Sequence, residues 1–358
     1  MKILKTAFQE LVDMPEGSAT PDEWNGTGGQ PSRLYAASIY YIFNAAIWFL
    51  CAIGGLSKRD AVSAIFNTCK RFQRKSLTAI RQPVLALISP ASAAIQYTCQ
   101  SAGGAGGPFV YTVKPALQKS ITLPEMLYIH GGGCISGDFA GYKGFCERLA
   151  NELGVRVHFV AYRLAPEADI CDAATDVLLA HKRISSNAAA APNWMADSGG
   201  AVIALNAMSR LLSKQGPSGH PFAPPVPSKC ILLSPVTDLT CSGKSFRKNA
   251  AADAMLDADV MRWVLWLASR DSSKDQSPIV QNFSSSNSGK PSFYIYVGAK
   301  EILLEDSIRM ANKLGENGYT VNLEVNPWGF HSWPLLWKYV PEADQSVRDI
   351  CATLSAQI

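Results

Sequence analysis

The residues able to carry out nucleophilic chemistry lie far apart in this chain. Ser198 sits in Ala196-Asp197-Ser198-Gly199-Gly200, between the apolar stretch Trp194-Met195-Ala196 and a helix-compatible run from Ala201 to Met208. A serine on so tight a strand-to-helix turn has its hydroxyl held above the sheet, and small residues two before and two after it let the arms of the turn pass closely. The helix N-terminus behind it favours negative charge. Ala196 stands where the usual pattern has glycine, so the motif is a relaxed one. Upstream, the apolar stretch Met126-Leu127-Tyr128-Ile129 runs straight into His130-Gly131-Gly132-Gly133. Consecutive glycines can turn backbone amides toward a substrate with no side chain intervening. Acyl transfer needs such donors where a carbonyl oxygen becomes an anion, and losing one typically costs about 10²–10³ in rate. Downstream, Gly329-Phe330-His331-Ser332-Trp333 puts a histidine on a Gly-rich loop. Hydroxyl, imidazole and amide donors are the parts of serine-based acyl transfer, which lacks only a carboxylate to orient the imidazole. The candidate carboxylates are Asp238, Glu301, Glu305 and Asp306. The other histidines suit the base role poorly: His130 belongs to the glycine loop, His158 to a strand, His181 to a helix and His220 to a Pro-rich connector.

Elements of alternating type must bring these residues together. Strand patterns fall at 110–113, 125–129, 156–162, 193–196, 230–236, 293–297 and 321–325, and helical patterns at 144–153, 173–183, 201–214, 257–269, 304–317 and 342–356. Such alternation predicts a largely parallel sheet covered by helices on both faces. In Tyr162-Arg163-Leu164-Ala165-Pro166-Glu167 the proline forces the residue before it out of helical geometry, so the chain turns there. Arg163 and Glu167 could tie that turn to its neighbours by a charge-assisted pair. Ser234-Pro235-Val236-Thr237-Asp238-Leu239 follows an apolar strand, and Asp238 there reads as a catalytic acid or as the cap of a turn.

Composition narrows the field. The 358 residues are 47% hydrophobic and 17% charged, ample for a large core in one α/β domain. A net charge of +4, with no basic groove interleaved with aromatics, points away from nucleic acid. The nine cysteines are scattered and include no CxxC pair, which argues against a zinc site or a disulfide framework and suits a reducing compartment. No metal is indicated. Residues 1–33 are polar, whereas 34–56 carry no charge and meet the length of a membrane-spanning helix. That run lies too far from the start to be a typical cleaved signal peptide. A cap helix of the globular domain is the other reading. If the run spans, Lys58, Arg59, Lys70, Arg71, Arg74, Lys75 and Arg81 after it, against Arg33 alone before it, put the catalytic body on the cytosolic side of the endoplasmic reticulum or another intracellular membrane. Otherwise the protein is cytoplasmic. In the spanning case the sequon Asn25-Gly26-Thr27 would face the lumen. Residues 59–98 read as helical, with apolar spacing at Val62, Ile65, Phe66, Cys69 and Phe72. The Gly-rich break at 101–108 closes a cap or linker over 57–108, and the catalytic body takes 109–358.

Assembled, these motifs resemble the hormone-sensitive-lipase branch of α/β-hydrolase esterases: HGGG at 130–133, YRLAPE at 162–167, DSGG at 197–200, SPVTDL at 234–239 and FHSW at 330–333. The resemblance covers roughly 110–358, with a fainter likeness in 59–98 to the family's helical cap. The chain order of serine, carboxylate and histidine is also that of α/β hydrolases. The resemblance implies an α/β-hydrolase fold, with a mostly parallel eight-stranded sheet flanked by helices and an N-terminal helical cap. It implies Ser198 as nucleophile, His331 as general base, Glu301 as the acid, and Gly132, Gly133 and Gly199 as oxyanion donors, with no cofactor. It also implies a hydrophobic small-molecule ester with a short to medium acyl group, acetyl included, as the substrate class. Some relatives, the arylacetamide-deacetylase-like esterases, carry an N-terminal membrane anchor. Two departures stand out: the family's acid is most often aspartate, and Ala196 adds a methyl where the elbow is crowded. The competing readings are a ligand-binding protein on the same scaffold, and an amidase or acyltransferase using the same triad.

Overall fold

The computed structural model describes residues 95–355 except 103–106, 118–122, 166, 215–224, 254, 270–277, 279–282 and 284–289. The anchor segment 34–56, the Asn25 sequon and the cap up to residue 94 lie outside the described residues. In chain order the elements are β1 (Tyr97–Ser101), β2 (Phe109–Val113), β3 (Glu125–Ile129), α1 (Phe139–Leu153), β4 (Arg156–Ala161), α2 (Ile170–Ser185), β5 (Asn193–Asp197) and α3 (Gly199–Lys214). They continue with β6 (Lys229–Leu233), α4 (Ser245–Lys248), α5 (Ala258–Ser269), β7 (Ser292–Gly298), α6 (Leu304–Glu316), β8 (Val321–Asn326), a 3₁₀ turn (Trp333–Leu336) and α7 (Pro341–Ser355).

The eight strands form one sheet in the order β1-β2-β4-β3-β5-β6-β7-β8. The β1–β2 and β2–β4 pairs are antiparallel and the remaining five are parallel. Alternate residues of the central strands feed two cores. Leu127, Ile129, Trp194 and Ala196 face the layer of α2 and α3, whereas Tyr128, Phe159 and Met195 face α1 and α7. Because strands buried on both faces read as continuous apolar runs, β3, β5 and β6 were visible in the sequence. Local signals start the helices. Asp138 caps α1 by accepting from the Gly141 amide at 3.0 Å, and Asp169 with Asp172 closes a capping box on α2.

The structure corrects the sequence reading in two places. The helical pattern extended through 98 fails at its end, because Tyr97 and Thr98 belong to β1. The sheet therefore begins at Tyr97 rather than 109, and a boundary at 108/109 cuts between two paired strands. β1 is a largely exposed edge strand with no buried apolar alternation to reveal it. Helix α1 also starts earlier than the predicted 144, where the Asp138 cap overrides the weak helix propensity of Gly141 and Gly144. Among the described residues, no helix is long and apolar enough to cross a membrane.

Candidate active site

The strand order decides which loops meet. After β3 the chain crosses to β4 on one side, and then to β5 on the other, so β3 and β5 are adjacent and parallel with Ile129 opposite Ala196. Such a switch point opens a crevice at the carboxyl ends of the strands. Into it run the glycine loop from β3 and the serine turn from β5. Their approach leaves no room for side chains. A Cβ on Gly200 would lie 2.3 Å from the Ile129 carbonyl oxygen, and one on Gly199 2.9 Å from the Cys134 amide. Ser198 itself has φ 50°, the strained left-handed turn that lifts a nucleophile out of a sheet. Its amide donates to Leu233 O at 2.9 Å and its carbonyl accepts from Val236 N at 3.1 Å, so β6 clasps the turn from the other side. Ala196 causes no obstruction: it has no left-handed φ, lies within β5, and buries its methyl in the core.

Ser198, His331 and Glu301, drawn from three distant loops, converge. Ser198 Oγ lies 2.8 Å from His331 Nε2, and His331 Nδ1 lies 3.0 Å from Glu301 Oε2. The three residues are 6%, 7% and 1% exposed, so the contacts are largely shielded from water. Burial works against protonation of His331, yet the hydrogen bond and charge of Glu301 prevail and hold its pKa above the ordinary imidazole value. The extra methylene of glutamate is taken up by folding the carboxylate back on its own turn. Oε1 accepts from the Gly298 amide at 2.6 Å and from Ser234 Oγ at 2.8 Å.

The alternative acids are occupied elsewhere. Asp238 accepts from Arg309 at 2.6 Å and from Thr240 and Ser242. Burial opposes its charge, but these donors outweigh it and bring the pKa down to about 2. Asp306 Oδ2 accepts the amides of Thr237 and Asp238 at 3.0 Å, and Glu305 accepts that of Lys244 at 2.6 Å. The remaining described histidines also have structural partners. His158 meets Glu125 at 2.6 Å, and His181 meets Pro225 O at 2.7 Å. His130 stacks on Tyr162 with ring centroids 4.2 Å apart, and burial lowers its pKa to about 4. Arg163, read as tying its turn to a neighbour, closes on Asp176 of α2 at 2.9 Å.

The glycine loop is preformed. Gly132 and Gly133 have φ of 101° and 63°, and Gly132 O accepts from the amides of Ile135 and Ser136 at 3.1 and 3.0 Å. Among the described residues, the amides of Gly132, Gly133 and Gly199 make no hydrogen bond, which leaves three donors for an incoming oxyanion. Val264 of α5 covers the far side of Gly133, where a Cβ would come within 2.5 Å of its methyl.

Four supporting residues escaped the sequence reading. Asp197 accepts from Gly131 N at 2.8 Å, Tyr128 OH at 2.9 Å and Tyr142 OH at 3.1 Å, and so ties the glycine loop to the serine strand. Burial pushes its pKa up to about 6 despite those donors. Asp253 accepts from Ile302 N at 2.8 Å and Asn249 donates to Glu301 O at 2.8 Å, which fixes the acid's backbone. Ser234 touches both acid and base loops. Asp197 and Ser234 stand within the motifs at 197–200 and 234–239, but nothing in the sequence marked Asn249 or Asp253.

Residues 126–335 match a protein family described as alpha/beta hydrolase fold. The chain is 27% identical over 240 residues to an acetyl-hydrolase of Streptomyces hygroscopicus, covering 66% of this chain and 76% of that protein. It is 28% identical over 227 residues to an esterase of Acinetobacter venetianus, covering 63% and 72%. Among solved structures, a hormone-sensitive lipase from a metagenome library aligns with TM-score 0.67 at 26% identity, covering 78% of this chain and 91% of that one.

Proposed function

The chain belongs to the alpha/beta hydrolase fold family and, within it, to the hormone-sensitive-lipase branch; it is a carboxylic-ester hydrolase, and we propose that Ser198, His331 and Glu301 are its catalytic triad. The observation that carries the assignment is the unbroken run of hydrogen bonds from Ser198 Oγ through the imidazole to Glu301, at 2.8 and 3.0 Å. Ser198 attacks the ester carbonyl while His331 Nε2 takes its proton. Glu301 keeps the other imidazole nitrogen protonated and stabilises the imidazolium that forms. The amides of Gly132, Gly133 and Gly199 receive the developing oxyanion. The alcohol leaves with the proton from His331. Water, deprotonated in turn by His331, then attacks the acyl-enzyme, releasing the acid and restoring the serine. No cofactor enters these steps.

The substrate is a hydrophobic small-molecule ester with a short to medium acyl chain. The similarity to an acetyl-hydrolase supports the short end of that range. Turnover of p-nitrophenyl esters of increasing acyl length by the purified chain gives the preference directly. Ser198→Ala is expected to lower turnover by several orders of magnitude with the fold retained. Ordinary activity in that variant sinks the assignment.

The same proposal takes the charge-free run 34–56 as a membrane anchor, with the catalytic body on the cytosolic side. Carbonate extraction of membranes carrying the full chain, beside a version starting near residue 57, tests it. Release of both versions by carbonate contradicts the anchor and leaves a cytoplasmic esterase.

A further inference from the structure

We infer that Ser234 is a positioning residue of the catalytic relay, which locks Glu301 and the His331 loop to one another; this rests on the ester-hydrolase reading with its Ser198–His331–Glu301 triad. Ser234 follows β6 directly, is fully buried, and holds φ 45°, a conformation that residues other than glycine rarely adopt. Its amide is tied to Tyr296 O of β7 at 2.7 Å. Its hydroxyl has two partners: it accepts from the Ser332 amide at 2.9 Å and lies 2.8 Å from Glu301 Oε1. A hydroxyl carries one proton, and an amide can only donate, so the proton of Ser234 is committed to the carboxylate.

The consequence is a carboxylate with its rotation fixed. Oε1 receives the Ser234 hydroxyl and the Gly298 amide, which leaves Oε2 for His331 Nδ1 at 3.0 Å. A glutamate has one more rotatable bond than the aspartate usual at this position, and two donors on one oxygen remove that freedom. The other bond of the hydroxyl pins the residue immediately after His331. The same short turn also reaches the nucleophile, since Leu233 O accepts from Ser198 N at 2.9 Å and Val236 N donates to Ser198 O at 3.1 Å. One segment, 233–236, thereby touches the loops bearing all three triad members. Mere packing does not account for serine here. Glycine would hold the left-handed backbone with less strain, but it would supply no hydroxyl.

The test is steady-state turnover of p-nitrophenyl acetate by the full chain as wild type, Ser234→Gly, Glu301→Gln and the double variant. Glycine suits the backbone at this position, so Ser234→Gly removes the hydroxyl without opposing the fold; Ser234→Ala, which keeps the Cβ, is measured beside it. Both are expected to lower kcat roughly ten- to a hundred-fold with KM changed less than about twofold, as for a lost hydrogen bond to a charged group. In the Glu301→Gln background, Ser234→Gly should cost less than about threefold, because the hydroxyl acts through that carboxylate. A folded Ser234→Gly variant with wild-type kcat, or an equal fold-loss in both backgrounds, overturns the inference. Ser198→Ala in the same assay reports on the underlying reading: wild-type turnover there removes the triad, whatever Ser234 does.

Discussion

The loops after β3 and β5 are joined mainly by close backbone, whereas the loops after β7 and β8 add to a close backbone approach, Gly298 against Gly329, the side-chain hydrogen bonds that hold the triad. In the first half, Gly199, Gly200 and Gly133 approach so closely that added Cβ atoms would collide with main-chain or neighbouring atoms, and the side chains of Asp197 and Cys134 bolt the pair together. In the second half, Glu301, His331 and Ser234 are held by hydrogen bonds between residues far apart in the chain. Backbone sets a position at the cost of tolerance to any added atom. Side chains allow exchange, here of an aspartate for a longer glutamate, provided their donors follow. Substitutions at the packed glycines should therefore cost stability and activity together, and those at the hydrogen-bonded side chains of Glu301, His331 and Ser234 activity alone.

The largest effect is expected in the second half. Glu301→Gln should lower kcat by about 10³–10⁴, because an amide no longer enforces the productive imidazole tautomer. The melting temperature should stay near that of the wild type, and a large fall would blur the contrast between the halves. Next comes Gly200→Ala, whose Cβ would stand 2.3 Å from Ile129 O and 2.4 Å from His130 O. The turn and the glycine loop must part, with roughly 10²-fold loss of turnover and a destabilisation of about 1–3 kcal/mol on denaturant titration. Unchanged stability in this variant would break the comparison. Asp197→Asn is smaller again. One of three donors to the carboxylate then faces an amide NH₂, which should cost about 1–3 kcal/mol of stability and a modest part of kcat. The smallest effect is on pH dependence. His331 must be neutral to act as base, and its pKa is raised, so kcat/KM should climb with pH and level off above the ordinary imidazole range. Removing the charge with Glu301→Gln should move that midpoint down. A midpoint unmoved by the substitution would separate Glu301 from the base.

The same division explains what could be read from the sequence. HGGG and DSGG are contiguous, and their geometry follows from local backbone rules, so strand, glycine loop, serine turn and helix were all legible there. His331 and Glu301 were legible through chain order and through the types of residue around them. Only the family resemblance favoured Glu301 over Asp238; the residues alone left both open, because Arg309, which neutralises Asp238, lies on a helix much further along the chain. Ser234 was hidden by its own motif, where the aspartate attracts attention and the serine looks like a turn residue. Asp197 and Asp253 act through tertiary hydrogen bonds that no local pattern announces. β1 went unseen because an exposed edge strand lacks the buried alternation that marks the others.

The central claim is that one hydroxyl in this chain is made nucleophilic by the imidazole 2.8 Å from it. Reaction of the full chain with a fluorophosphonate, followed by peptide mass spectrometry, tests this directly. A single adduct on the peptide containing Ser198, lost in Ser198→Ala and in His331→Ala, is the expected result. An adduct on another residue, or labelling at Ser198 that is indifferent to His331, would contradict it.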